Sequence, residues 1–151
     1  MADSDLFTGE YHYALDAKGR LIVPARFRDI LGSQFKIGVS LDPCLTVYSN
    51  EGWNSFYAKL RELPANSQDM RRVVRYFTAG TFDVGIDSQG RILLPQQLRR
   101  LGKIDKEVVF AGVGDKAELW DEGEYMKTQA MEAREDINAI AENLLSSGFR
   151  F

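Results

Sequence analysis

The 151-residue sequence holds one cysteine and one histidine, and each shortage removes a class of chemistry. Cys44 alone leaves no intrachain disulfide. With no evident histidine partner it reads as a semi-buried filler rather than a nucleophile. His12 has no second histidine and no cysteine cluster to join, so a metal site is not expected. It reads as a strand residue on the face opposite Tyr11 and Tyr13. No apolar run approaches the ~18 residues of a membrane span. The acidic opening MADSDLFTGE offers no apolar signal core. GVGDK (112–116) is glycine-rich but fits no phosphate-binding frame, and reads as a hairpin turn. No Ser/His/Asp set and no pair of catalytic acids stands in a usable frame. These absences predict a cytoplasmic protein that is not an enzyme and needs no metal or cofactor.

Excess positive charge is lacking too. The net charge is −3, at first sight the wrong sign for a nucleic-acid partner. The average hides an asymmetry. Residues 1–104 carry 14 basic and 11 acidic side chains, whereas residues 105–151 carry 5 and 11. A basic face on an acidic body remains available, and the local field matters more than the isoelectric point.

What the sequence does contain is a repeat. LDAKGRLIVPARFR (15–28) returns as IDSQGRILLPQQLRR (86–100). Asp16 aligns with Asp87, Gly19 with Gly90, Arg20 with Arg91, Pro24 with Pro95 and Arg28 with Arg99. Upstream, Tyr11, Tyr13 and Leu15 alternate like Phe82, Val84 and Ile86, which marks a strand with one buried face. Gly19 and Gly90 suit a turn with positive φ. LIV and ILL read as short strands covered on both faces. Pro24 and Pro95 suit a first helical turn, after which Phe27, Ile30, Leu98 and Leu101 face the core. With a one-residue slip, FKIGV (35–39) falls on EVVFA (107–111) and LTVY (45–48) on AELW (117–120). Trp53 falls on Tyr125. Each half therefore reads strand, turn, strand, short helix, strand, strand, helix. Each is too small to bury its own core, so the two should fold against each other as a pseudo-dimer.

Between the halves, residues 50–63 place Trp53, Phe56, Tyr57, Leu60 and Leu63 on one stripe, ended by Pro64. These aromatics read as helix core rather than base-stacking platforms. Residues 66–77 open on Asn66 and Asp69, a capping pattern, and bury Met70, Val73, Val74 and Phe77. Arg71, Arg72 and Arg75 then lie on the other face, exposed or at a subunit contact. Residues 122–145 read as helical and acidic, with Ile137, Ile140, Ala141 and Leu144 available for docking. The last residues, SSGFRF, read as a loose end.

The doubled Asp-x-x-Gly-Arg with its apolar triplet and proline, together with LDPCLTVY and AELWDE, resembles the MraZ family of the SpoVT-AbrB DNA-binding class. The similarity covers roughly residues 7–125. It implies an α+β fold, a double-split β-barrel of swapped hairpins formed by the two internal repeats, with flanking helices. On that frame residues 10–52 are the first SpoVT-AbrB-like repeat, 53–80 the connecting helices, 81–124 the second repeat, and 125–151 an acidic C-terminal helix and tail. The resemblance also implies a nucleoid-associated transcriptional regulator. It would act as a homo-oligomeric ring on repeated promoter sites in double-stranded DNA, upstream of the division and cell-wall gene cluster.

The residues alone leave two readings of the repeated loop open. Asp16 and Asp87 with Gly19 and Gly90 build a structural turn. Arg20 and Arg91 either close an ion pair there, worth only ~0–1 kcal/mol on a surface, or project at DNA. The family resemblance favours the second. Lys18, Arg26 and Arg28 in the first copy, and Arg99, Arg100 and Lys103 in the second, are either solvated faces or phosphate contacts. Gln89 replaces Lys18 in the second loop, which leaves that loop less cationic. The rival of a different class is an oligomeric scaffold that binds a protein through its acidic helices.

Overall fold

The computed structural model describes residues 6–129 and 134–151. The first repeat runs β1 (Glu10–Ala14), β2 (Arg20–Ile22), α1 (Ala25–Leu31), β3 (Gln34–Val39), β4 (Leu45–Tyr48) and α2 (Asn50–Leu60). Helix α3 (Gln68–Ala79) leads into the second repeat. This runs β5 (Thr81–Gly85), β6 (Arg91–Leu93), α4 (Gln96–Leu101), β7 (Glu107–Gly112), β8 (Ala117–Asp121) and α5 (Glu122–Gln129). Helix α6 (Arg134–Ser146) follows. The helix expected over 122–145 is thus present as α5 and α6, with 130–133 outside the described residues.

Both sheets are antiparallel. Six strands lie in the order β1-β7-β8-β4-β3-β5, and β2 pairs with β6 in a separate ribbon. The repeats exchange strands. β1 of the first lies on β7 of the second, with Tyr13 opposite Val108. β5 of the second lies on β3 of the first, with Val84 opposite Phe35. These registers correct the slip expected in the repeat. Val108 is the counterpart of Phe35, two residues out of step with the loops rather than one. The α4–β7 connection is longer than α1–β3, and the β7–β8 hairpin is shorter than β3–β4. LTVY and AELW consequently align as expected. The aromatic pairs follow: Tyr48 meets Trp53 edge-on at 5.7 Å, as Trp120 meets Tyr125.

Alternation along the strands decides what is buried. Phe27 sits at the centre, with no exposed surface. It makes edge contacts to Phe7 and Tyr11 at 5.2 Å and to Phe110 at 6.2 Å. Its counterpart Leu98 is equally buried. LIV and ILL are not covered on both faces, since Ile22 is 45% and Leu93 64% exposed. Each ribbon strand keeps only its alternate residues inside. Leu101 also departs from expectation: it ends α4 exposed, and Ile104 in the longer loop enters the core instead. Pro24 and Pro95 stand at the N-caps, their carbonyls accepting from Arg28 and Arg99 at 3.0 Å. Gly114, at φ 98°, turns the GVGDK hairpin. Cys44 is more deeply buried than expected, against Val109 and Trp120. Burial pushes its thiol up to about 12, so it carries no thiolate at neutral pH.

The connecting helices depart further. Ser67, rather than Asn66 or Asp69, caps α3 by accepting from the Met70 N–H at 3.3 Å. No residue of α3 is fully buried, and Val73 of its apolar stripe is exposed. Only Trp53 and Leu60 of α2 are buried, while Phe56 stacks on Tyr48 and meets Phe77 edge-on. Ile137, Ile140 and Leu144 of α6 are exposed.

Helix α5 is fastened to β1 by polar groups. The Tyr125 hydroxyl donates to Glu10 at 2.6 Å, and His12 lies 2.9 Å from Glu10 and 3.3 Å from Glu122. The hydrogen bond to Glu10, chiefly, raises the His12 pKa above 6.5. A raised folded pKa gives stability that is complete below the unfolded value and is lost as pH rises through the folded one. The melting-temperature difference between wild type and His12→Gln should therefore be largest at mildly acidic pH and shrink toward alkaline pH. A series of thermal melts across that range checks it. Phe27→Ala should cost about 3–5 kcal/mol, read from urea unfolding.

Candidate nucleic-acid interface

The two Asp-x-x-Gly-Arg loops fold identically. The Asp16 Oδ1 accepts from the backbone N–H groups of Lys18 and Arg20, both at 2.9 Å, and Oδ2 accepts from Arg20 Nε at 2.7 Å. In the second loop Asp87 Oδ1 accepts from the N–H groups of Gln89 and Arg91, both at 2.9 Å, and Oδ2 from Arg91 Nε at 2.9 Å. Gly19 and Gly90 close the turns at φ 79° and 76°, the left-handed region in which a side chain is strained. Each aspartate thus builds the turn and orients the arginine after it. Backbone donation from Arg20 and Arg91, chiefly, holds the two carboxyls below their ordinary value of 3.8.

The ribbon brings the two arginines together. Arg20 lies opposite Leu93, and Arg91 opposite Ile22. Alternation therefore places Arg20, Ile22, Arg91 and Leu93 on one face, while Leu21 and Ile92 point into the core. One further bond ties each loop to the other repeat. Val23 N–H donates to the Gly90 carbonyl and Leu94 N–H to the Gly19 carbonyl, both at 3.0 Å. The arginine side chains are 34% and 26% exposed. Only Nε of each is engaged, and among the described residues Nη1 and Nη2 of either have no partner.

Arg28 and Arg99 join this face from α1 and α4. The Arg28 guanidinium lies over Gly90, where a Cβ would collide with it. A Cβ on Gly19 would stand 3.9 Å from Arg99 Nη1, and Arg99 Nη2 donates to the Asp105 carbonyl at 2.9 Å. Each helix therefore sends its arginine to the loop of the opposite repeat. Lys18 is exposed in the first loop, where the second has Gln89. Arg26 is exposed on α1. Arg100 and Lys103 cluster with Gln96 at the end of α4. Sequence reasoning missed Ile22 and Leu93, although period-two alternation applied to LIV and ILL would have found them. It also missed the approach of Arg28 to Gly90, which no local pattern announces.

The chain matches the family model for the MraZ protein twice, over residues 6–76 and 77–147. It belongs to the MraZ family. Relatives agree over most of the length. A protein of Lachnoclostridium phytofermentans is 42% identical over 146 residues, spanning 97% of this chain and 100% of its own. One from Moorella thermoacetica is 44% identical over 140 residues, 93% of this chain and 97% of its own. One from Thermoanaerobacter sp. is 47% identical over 115 residues, 76% and 80% respectively. Each is named transcriptional regulator MraZ. In element order α6 follows α5 as α3 follows α2.

A depressed carboxyl pKa gives stability that is present above the unfolded value and lost as pH falls through the folded one. Asp16→Asn and Asp87→Asn retain an Oδ1 acceptor but remove the charge. Each should lower the melting temperature at neutral pH and flatten its fall on acidification below about pH 4. Thermal melts from neutral to strongly acid pH test this; parallel curves for wild type and both variants would count against the ionised turns.

Proposed function

We propose that this protein is a sequence-specific DNA-binding transcriptional regulator that meets duplex DNA with the β2–β6 ribbon face. The observation carrying this reading is a matched pair of arginines, each held at Nε by an aspartate, with terminal nitrogens unpartnered among the described residues. A two-stranded antiparallel ribbon is one of the shapes that a B-DNA major groove, ~12 Å wide, admits. An arginine fork fixed at Nε presents two donors, the pattern that a guanine edge or a phosphate accepts. Arg28, Arg99 and Lys18 supply flanking positive charge for phosphates, with Arg26 further out along α1. Asp16 and Asp87 serve the turn rather than the DNA, since a carboxylate facing phosphates would repel them. We read the sheet and ribbon together as the double-split barrel of the SpoVT-AbrB class.

The family resemblance supports a homo-oligomeric ring acting on repeated promoter sites of the division and cell-wall gene cluster. A ring repeats a modest contact, so affinity accumulates by avidity if operator spacing matches subunit spacing. An acidic protein then binds DNA because only the ribbon face need be basic.

The test is binding to DNA tiled across the promoter of the protein's own operon at several salt concentrations. Arg20→Ala and Arg91→Ala should each lose ~1–3 kcal/mol per contact, with little change in melting temperature. Arg20→Ala should be the more damaging, because Lys18 stands beside it. The wild-type log-log salt slope should be roughly −0.9 per phosphate engaged, and shallower in Arg20→Ala. Wild-type binding by both variants would falsify the assignment and favour the non-DNA scaffold.

A further inference from the structure

Two amphipathic helices leave apolar faces uncovered, and they are counterparts in the repeat. Helix α3 stands beside α2, with an open groove of about 590 Å³ between them. Tyr57, Leu60, Leu63, Met70 and Val74 give it an apolar lining. The charged residues lining it are Arg61, Arg71 and Arg75, all of one sign. Helix α6 carries the complementary features. Ile137, Ile140, Leu144 and Leu145 recur at helical spacing and are 42–55% exposed. Glu135, Asp136 and Glu142 make it acidic.

We propose that α6 of one copy of this chain docks in the α2–α3 groove of a second copy. The apolar stripe of α6 would cover the groove, and its carboxylates would meet the arginines. The lengths agree: α6 has 13 residues, α2 has 11 and α3 has 12, so each spans about 16–20 Å. Charge excludes the symmetric alternatives. Two grooves face to face would oppose three arginines with three arginines, and two α6 helices would oppose acid with acid. The contact is therefore head to tail, with groove and helix of each copy engaging different neighbours. Such a contact builds a ring if its rotation closes and a filament if it does not. This rests on the oligomeric part of the function proposed above and not on its DNA-binding part.

The experiment therefore contains no DNA. Full-length protein at micromolar concentration is sized by mass photometry or light scattering. Wild type should be a discrete oligomer larger than a dimer. Ile140→Asp/Leu144→Asp changes two exposed residues, so far-UV circular dichroism and melting temperature should hold while assembly falls to monomer. Arg71→Glu/Arg75→Glu alters only the groove's rim and should do the same. An equimolar mixture of the two variants retains one intact pairing, α6 of the rim variant in the groove of the α6 variant, and should form heterodimers and nothing larger. Val74→Asp keeps the rim arginines and blocks the floor. Combining Asp136→Arg/Glu142→Arg with Arg71→Glu/Arg75→Glu in one chain reverses both partners and should restore oligomers. Restored assembly supports the assigned seat. A monomeric wild type, unchanged assembly of the α6 variant, or failure of the reversed chain to assemble when both parents are folded overturns it. Loss of DNA binding in Arg20→Ala with assembly intact leaves this contact standing, and the converse result leaves the ribbon standing.

Discussion

Neither repeat can complete its own sheet, and the rest of the molecule depends on that. A unit this small does not bury enough apolar surface to fold alone. Its first strand is instead placed on the hairpin of the other unit, in both directions. The exchange forces β2 and β6 alongside each other, and with them the two loops that carry Arg20 and Arg91. Phe27 records the same exchange from inside: it touches Tyr11 of its own repeat and Phe110 of the other. The face that carries Arg20 and Arg91 and the core are two sides of one strand swap.

Within that frame the aspartates and arginines divide their work. Asp16 and Asp87 accept three hydrogen bonds each, two from backbone and one from guanidinium. A turn built in this way fixes where the arginine leaves the backbone and how its plane is rotated. Less side-chain freedom then remains to be lost when the arginine meets a ligand. The structural and the functional readings of the motif are compatible, because a different nitrogen of the guanidinium serves each.

Much of this is legible in the amino-acid sequence. The paired Asp-x-x-Gly-Arg loops announced themselves by repetition, and the alternation of Tyr11 with Tyr13 and of Phe82 with Val84 marked the swapped strands. Glycines 19 and 90 took the left-handed backbone their position demands. What was not legible is tertiary. Whether Ile22 and Leu93 are covered depends on what lies over the ribbon, not on their hydrophobicity. Leu101 was displaced from the core because the next loop is longer and brings Ile104 in its place. The stripe of α3 reads as a buried face by its periodicity, yet periodicity states that a face is apolar without saying which chain covers it. Arg28 reaches Gly90 across 62 positions of sequence, a distance that only the exchange of hairpins removes.

The join between the repeats through α3 has a thermodynamic consequence. Two separate half-chains exchanging strands would be an obligate dimer, whose folded fraction drops on dilution. Tethering the halves converts that second-order encounter into an internal closure, and the partner half is held at a fixed effective concentration. The folded state of a single chain is then independent of how many copies a cell contains. Copy number is then free to act on a contact between chains, such as the one proposed above, without putting the fold at risk.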